Sequence, residues 1–170
     1  TISFHISSYT PNYQITIYRV GWYGGAGARQ VSTVSLSNGV KRAVPSPDPV
    51  TGVIDCDWPA SHQVTIPNST DKTDWASGIY LAKLTPSGGD DSMIIFVVRD
   101  DSSQATYLYQ STATTSQAYN YWGGKSLYAF NSYNGPARKV SFNRPYGHVN
   151  GMGGAGNFFE WEVNFVRFVE

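Results

Sequence analysis

The stretch Tyr13-Gln14-Ile15-Thr16-Ile17-Tyr18 alternates apolar and polar side chains. Successive side chains of a β-strand point to opposite faces, so this alternation predicts a strand with one face in a core. Residues 2–7 alternate in the same way, and Pro11-Asn12 between the two stretches marks a turn. The chain is therefore expected to begin with a series of short β-strands.

More strand-like segments follow, separated by turn signals. Asn38-Gly39 is a dipeptide typical of hairpins, and the prolines within residues 44–49 predict an extended loop. The later strands are predicted at residues 31–36, 53–58, 63–66, 79–84 and 93–98. About seven short strands with no helix among them predict an antiparallel β-sandwich, Ig-like or fibronectin-like, over residues 1–101.

The polar run at residues 99–104 predicts a domain boundary, and residues 102–170 are interpreted as a second, partial domain. Strands are predicted there at residues 105–109 and 140–142, with a long polar and aromatic segment between them. Residues 158–170 fit either a strand or one face of a helix. The segment exceeds the usual strand of about 5–6 residues, so a helix is predicted, cut off at Glu170 with no terminating Gly or Pro.

Composition excludes several classes of function. Twelve basic and twelve acidic residues give no net charge, and no basic block exists, so neither nucleic acid nor an anionic membrane is an expected partner. The longest apolar run, residues 93–98, is far shorter than the ~20 residues of a membrane-spanning helix. The low charge content is common in secreted β-rich proteins, so an extracellular or cell-surface location is expected, with a cytoplasmic one as the alternative. Asn68-Ser69-Thr70 makes Asn68 a candidate glycosylation site.

Common catalytic and metal-binding patterns are missing from the sequence. His5, His62 and His148 are far apart and have no partner at zinc-ligand spacing. No Gly-x-Ser-x-Gly elbow is present. Cys56 lies between Asp55 and Asp57, where a neighbouring carboxylate disfavours the thiolate, so it is a poor nucleophile.

Residues 151–156 match the pattern G-x-G-x-x-G, but no clear strand leads directly into them. They are interpreted as a flexible loop that opens a helix, rather than as a dinucleotide site.

The segment with the most chemical potential is residues 114–128, which is too long and too aromatic for a simple connection. A phenolate oxygen is a hard, anionic ligand that suits ferric iron, and a tyrosine can also polarise a carbonyl or transfer a proton. The alternative is that these rings only pack the boundary between two domains.

Five ordered motifs resemble the N,N-dimethylformamidase large (beta) subunit family, specifically its N-terminal sandwich and the start of its catalytic-type domain. The most specific is Gln117-Ala118-Tyr119-Asn120-x-Trp122-Gly123-Gly124-x-Ser126-Leu127-Tyr128. The others lie at residues 18–29, 75–84, 96–101 and 139–146, and Trp161-Glu162 continues the series. The resemblance spans essentially the whole chain.

The resemblance implies an Ig-like sandwich followed by the beginning of an α/β domain similar to glutamine amidotransferases. It also implies hydrolysis of a small amide at an iron held by two tyrosines and a glutamate. The tyrosines match Tyr119 and Tyr146, with Tyr128 in reserve. The glutamate of the family pattern is expected beyond residue 170, because Glu160 and Glu162 match a different, helical part of the pattern.

Two hypotheses follow. In the first, the chain is a fragment of an iron-dependent amidohydrolase, whose metal site needs the remainder of a larger polypeptide or other subunits. In the second, it is a secreted, non-catalytic module that binds carbohydrate or a cell surface through exposed aromatic side chains, with Trp22, Tyr23, Trp75 and Trp122 as candidates. A homo-oligomer is compatible with both.

Overall fold

Antiparallel strands dominate the fold. The computed structural model describes residues 1–67, 74–147 and 153–170. Six strands lie within these ranges: β1 (Ile2–Phe4), β2 (Tyr13–Val20), β3 (Ala28–Leu36), β4 (His62–Val64), β5 (Gly78–Pro86) and β6 (Ser92–Val98). They form a four-stranded sheet in the order β3-β2-β5-β6 and a two-stranded sheet of β1 and β4, with every neighbouring pair antiparallel. The protein is therefore mainly β, as the sequence predicts.

A core between the two sheets explains the alternation in β2. Ile15 and Ile17 are buried there, opposite Leu84 and Ala82 of β5. Phe4 of β1 packs into the same core, and its ring meets Phe96 edge to face at 5.9 Å. The apolar face of each sheet therefore covers that of the other.

A second core covers the opposite face of the four-stranded sheet. Helices α2 (Phe158–Trp161) and α3 (Val163–Val169) bury Phe158 and Val166 against Ile79 and Leu81 of β5. The helix predicted at residues 158–170 is thus confirmed, as two short helices. The domain boundary after residue 101 stays a prediction, but residues on its far side share a core with the sheet.

Glycines let the end of α3 approach the sheet closely. A Cβ on Gly27 would lie 3.0 Å from Cζ of Arg167, and one on Gly78 would lie 2.9 Å from Oε1 of Glu170. The Glu170 carboxylate forms an ion pair with Arg19 of β2. The glycine loop after β2 therefore serves as a docking surface for the C-terminal helix.

Three predicted strands are wrong, because their backbones lack a ladder partner. Residues 53–58 run irregularly, and the Cys56 N–H bonds to Asn143 O at 2.7 Å in a loop-to-loop contact. Residues 105–109 and 140–142 are also irregular, and Leu108 in the first of these is 96% exposed. The intervening segment also contains a helix that its composition did not predict, α1 (Ala113–Tyr119).

Candidate functional site

The start of α1 is anchored by a buried carboxylate. Glu162, between α2 and α3, accepts hydrogen bonds from Thr112 Oγ1 at 2.6 Å, from the Thr112 N–H at 3.1 Å and from the Tyr109 hydroxyl. Burial alone would raise the pKa of Glu162, but the hydrogen bonds from Thr112 and Tyr109 outweigh it and leave the pKa below its ordinary value. Burial, followed by the hydrogen bond to Glu162 and then by the charge of Glu162, raises the pKa of Tyr109. Glu162 therefore fixes the helix that carries Tyr119.

At its other end, α1 runs into Asn120, whose side chain joins two distant segments. Asn120 is 3% exposed, and its Oδ1 accepts the N–H groups of Trp122 at 3.0 Å and Gly147 at 2.8 Å. Its Nδ2 donates to Gln117 Oε1 at 2.7 Å and to Pro145 O at 2.9 Å. The residues on both sides of Tyr146 are thus bonded to the residue that follows Tyr119.

Arg144 strengthens the same junction. The side chain is buried, and its guanidinium donates to three backbone carbonyls: Asn120 at 2.8 Å, Lys125 at 2.8 Å and Trp122 at 3.1 Å. Desolvation lowers the pKa of Arg144. The 120–125 turn is consequently held against the segment of Tyr146 by a second side chain.

Tyr119 belongs to an aromatic cluster at the surface. Its ring stacks on Tyr128 with centroids 4.3 Å apart, and Phe130 lies 5.6 Å from Tyr128. A hydrogen bond between the two tyrosine hydroxyls raises the pKa of Tyr128. Tyr128, the reserve candidate for a metal ligand, is therefore the immediate neighbour of Tyr119.

An open pocket of about 330 Å³ adjoins this cluster. It is lined by uncharged side chains from α1, α2 and the residues that precede them: Thr112, Thr115, Ser116, Tyr119, Asn157 and Trp161. Its lining combines aromatic rings with hydroxyl and amide groups and includes no charged side chain.

Tyr146 is half-buried near Gly156, in the loop that precedes α2. Burial raises the pKa of Tyr146, the charge of Glu162 adds to this effect, and Arg144 opposes it. A Cβ on Gly156 would lie 3.3 Å from Ser116 Cβ and 3.8 Å from Tyr146 Cδ1. Gly156 therefore lies beside both Tyr146 and Ser116, and Ser116 is one helical turn before Tyr119.

The glycine-rich segment contributes to packing in its described part. Residues 153–157 form turns that lead into α2, which agrees with a loop that opens a helix. The first two positions of the G-x-G-x-x-G pattern, Gly151 and Met152, lie outside the described residues. So do Asn68, the candidate glycosylation site, and His148.

Of the other candidate residues, Cys56, Trp75 and Trp122 are packed against their neighbours, whereas Trp22 is exposed. Burial, with a smaller contribution from Asp55, raises the pKa of Cys56 to about 11, so the thiol is a poor nucleophile. Trp75 stacks on Tyr80 at 5.3 Å, and Trp122 meets Trp58 edge to face at 5.9 Å. Of the proposed sugar-binding rings, Trp22 is 60% exposed, while the Tyr23 hydroxyl accepts a hydrogen bond from Arg19.

The donor groups around α1 fit a hard cation in part. Phenol oxygens from Tyr119 and Tyr146 are the oxygen donors that such an ion accepts. Glu162 is not assigned as the third ligand, because its three hydrogen bonds from Thr112 and Tyr109 give it a structural role in anchoring α1. Within residues 1–67, 74–147 and 153–170, no group of three His, Cys, Asp or Glu side chains could hold a metal ion.

Comparison with known proteins identifies the family. The profile described as N,N-dimethylformamidase beta subunit-like, C-terminal, matches residues 14–170. The chain belongs to this family. No curated protein and no solved structure matches it. The matched family model is described as C-terminal, whereas the motifs in the sequence are assigned to the N-terminal sandwich of the family. The match supports the family, and the position of the chain within the subunit stays a prediction.

In this N,N-dimethylformamidase-like chain, no helix in the described ranges is long and apolar enough to span a membrane. The residues that sequence reasoning missed are Gln117, Asn120 and Arg144, which join the two tyrosine segments. All three residues belong to the motifs that resemble the family. Their role could not be predicted from the sequence, because the bonds of Asn120 to Pro145 and Arg144 connect positions about 25 residues apart along the chain.

Proposed function

We propose that this chain contributes Tyr119 and Tyr146 to an iron centre that hydrolyses the C–N bond of a small amide. The observation that carries the proposal is the Asn120 side chain, which bonds to both neighbours of Tyr146 and directly follows Tyr119. The family match supports the same reaction class, since the family is named for an amidase.

The role of each group follows from its position. Bound iron would supply a Lewis acid for the amide carbonyl. Tyr119 and Tyr146 would hold the ion through their phenol oxygens, while Tyr128 and Phe130 form an aromatic wall beside Tyr119. The Ser116 hydroxyl lines the adjoining pocket, where it can hydrogen-bond a small polar substrate.

The third ligand is proposed to come from outside the described residues. The resemblance implies that this ligand is a glutamate. Glu162 is not the proposed residue, because it accepts hydrogen bonds from Thr112 and Tyr109. The family name is that of a subunit, so the remainder of a larger polypeptide or another subunit is the proposed source.

We also infer the finer architecture from the resemblance. The two packed antiparallel sheets are proposed to be an Ig-like sandwich, and residues 102–170 the beginning of an α/β domain. Two features support this inference: the shared core of Phe4, Ile15 and Tyr80, and the fact that, in the described part of the chain, α-helices occur only after residue 101. An extracellular location also stays a proposal.

The test is amide hydrolysis by the complete protein, purified together with any subunits that accompany it. Release of amine from N,N-dimethylformamide and from formamide is measured alongside iron content. Tyr146→Phe should lose both activity and iron. Tyr107→Phe changes a tyrosine that is 84% exposed, and it should keep both. Full iron content and activity in Tyr146→Phe would overturn the assignment.

A further inference from the structure

The side chain of Asn120 has no hydrogen-bonding capacity to spare. Its oxygen accepts two backbone N–H groups and its nitrogen donates to two carbonyl oxygens, and each of these four bonds is between 2.7 and 3.0 Å long. A primary amide offers two acceptor sites and two donor sites. A buried polar group that is fully satisfied in this way specifies one arrangement of the segments around it.

Two of the four bonds are local and two are long-range. Gln117 and Trp122 lie within three residues of Asn120, so their bonds shape the end of α1. Pro145 and Gly147 lie on either side of Tyr146, so their bonds fix that segment against α1. The backbone carbonyl of Asn120 also accepts a bond from Arg144, which adds a third tie to the same segment.

We propose that Asn120 is a positioning residue that sets where the Tyr146 phenol lies relative to the Tyr119 phenol. The geometric part of this inference stands alone, and its importance for metal binding rests on the proposed function. Asn120 touches neither substrate nor metal in this account. It acts through the backbone on both sides of Tyr146.

The variant that tests it is Asn120→Asp, which keeps the shape but replaces the Nδ2 donor with an oxygen. That oxygen would face Gln117 Oε1 and Pro145 O, both acceptors, so the bond to the Tyr146 segment is lost. Asn164→Asp makes the same chemical change at an exposed position of α3 and serves as the control. Thermal unfolding and circular dichroism first establish that each variant is folded.

The direct readout is ¹⁹F NMR of protein labelled with 3-fluorotyrosine. The sequence contains 12 tyrosines, and the resonances of positions 119 and 146 are assigned from the Tyr→Phe variants. Asn120→Asp should shift both resonances, whereas Asn164→Asp should shift neither. A shift at position 119 with none at position 146 would overturn the proposal, because Asn120 would then act only on the end of α1.

Iron binding supplies the functional readout. Residues that orient metal ligands typically change metal affinity by about 10- to 100-fold when replaced, so Asn120→Asp should weaken Fe(III) binding by that factor. An unmodified protein that binds no iron would contradict the proposed function, while the ¹⁹F shifts would still decide the positioning role. If Asn120→Asp does not fold, Asn120→Ser, whose shorter side chain cannot bridge to Gly147, is measured in the same way.

Discussion

Glu162 and Thr112 are joined by two hydrogen bonds, from the Thr112 hydroxyl at 2.6 Å and from its N–H at 3.1 Å. Glu162 lies between the two C-terminal helices, and Thr112 directly precedes α1. The helices that cover the sheet are thereby tied to the helix that carries Tyr119.

Replacing Glu162 with Gln should destabilise the protein in a pH-dependent way. Hydrogen bonds to a charged group are worth about 1.5–3 kcal/mol, so a loss of that size is expected in the free energy of unfolding near pH 7. Because the folded pKa of Glu162 lies below its ordinary value of 4.5, this stabilisation is fully present above that value and is lost as pH falls through the folded pKa. Chemical denaturation at a series of pH values measures it.

Glu160→Gln is the control, since Glu160 is exposed on α2. It should change the free energy of unfolding by less than about 0.5 kcal/mol. A difference between wild type and Glu162→Gln that persists undiminished at pH 2 would contradict the role given to the carboxylate.

Gly154→Ala should be strongly destabilising, because the loop before α2 touches β6. The Met93 N–H bonds to Gly153 O at 2.8 Å, and a Cβ on Gly154 would lie only 1.7 Å from Met93 O. The loop would have to leave the sheet edge, at a cost expected to exceed about 3 kcal/mol. Thermal or chemical denaturation gives the value.

Gly89→Ala is the control, because it separates the cost of the steric clash from the cost of the backbone conformation. Gly89 has φ +99, close to the +96 of Gly154, but a Cβ there meets nothing within 4 Å. Only the left-handed conformation would then cost free energy, about 1–2 kcal/mol. Equal losses in the two variants would show that the loop does not pack against Met93 as described.

Phe158→Ala tests whether the C-terminal helices share the core of the sheet. Phe158 is fully buried beside Ile79 and Leu81, so its truncation should cost about 3–5 kcal/mol. Phe168→Ala removes the same group from a side chain that is 85% exposed, and it should be nearly neutral. Similar stability of the two variants would mean that the helices are not packed on the sheet.

Tyr119→Phe should lower the pKa of Tyr128 towards its ordinary value of 10.0, because the hydrogen bond from Tyr119 raises that pKa. Titration of the tyrosine ring resonances by NMR measures the change. Tyr107→Phe should leave the Tyr128 titration unaltered. An unchanged Tyr128 pKa in Tyr119→Phe would contradict the pairing of the two hydroxyls.

The sequence pattern predicted the sheet well where apolar side chains alternate or run continuously along a short segment. Residues 13–18, 79–84 and 93–98 became β2, β5 and β6, because each places alternate or continuous apolar side chains in a core. Residues 53–58 are also partly buried, but they bond to a loop at Asn143 instead of a strand. Apolar content alone cannot distinguish these two outcomes.

Helix α1 escaped prediction for a related reason. Its sequence, Ala-Thr-Thr-Ser-Gln-Ala-Tyr, has no apolar periodicity, and tertiary bonds hold it in place. Glu162 binds the residue before it, and Gln117 within it donates to Ser141 O. The motif around Tyr119 could be recognised from sequence, whereas its junction with the Tyr146 segment depends on contacts that only the folded chain shows.

Binding of one iron ion by both Tyr119 and Tyr146 can be tested through the visible absorption of the complete, Fe(III)-loaded protein. Phenolate bound to ferric iron gives a charge-transfer band. We expect this band to weaken or disappear in both Tyr119→Phe and Tyr146→Phe and to stay in Tyr107→Phe. A full band in Tyr146→Phe, together with its loss in Tyr128→Phe, would contradict the claim and make Tyr128 the second ligand.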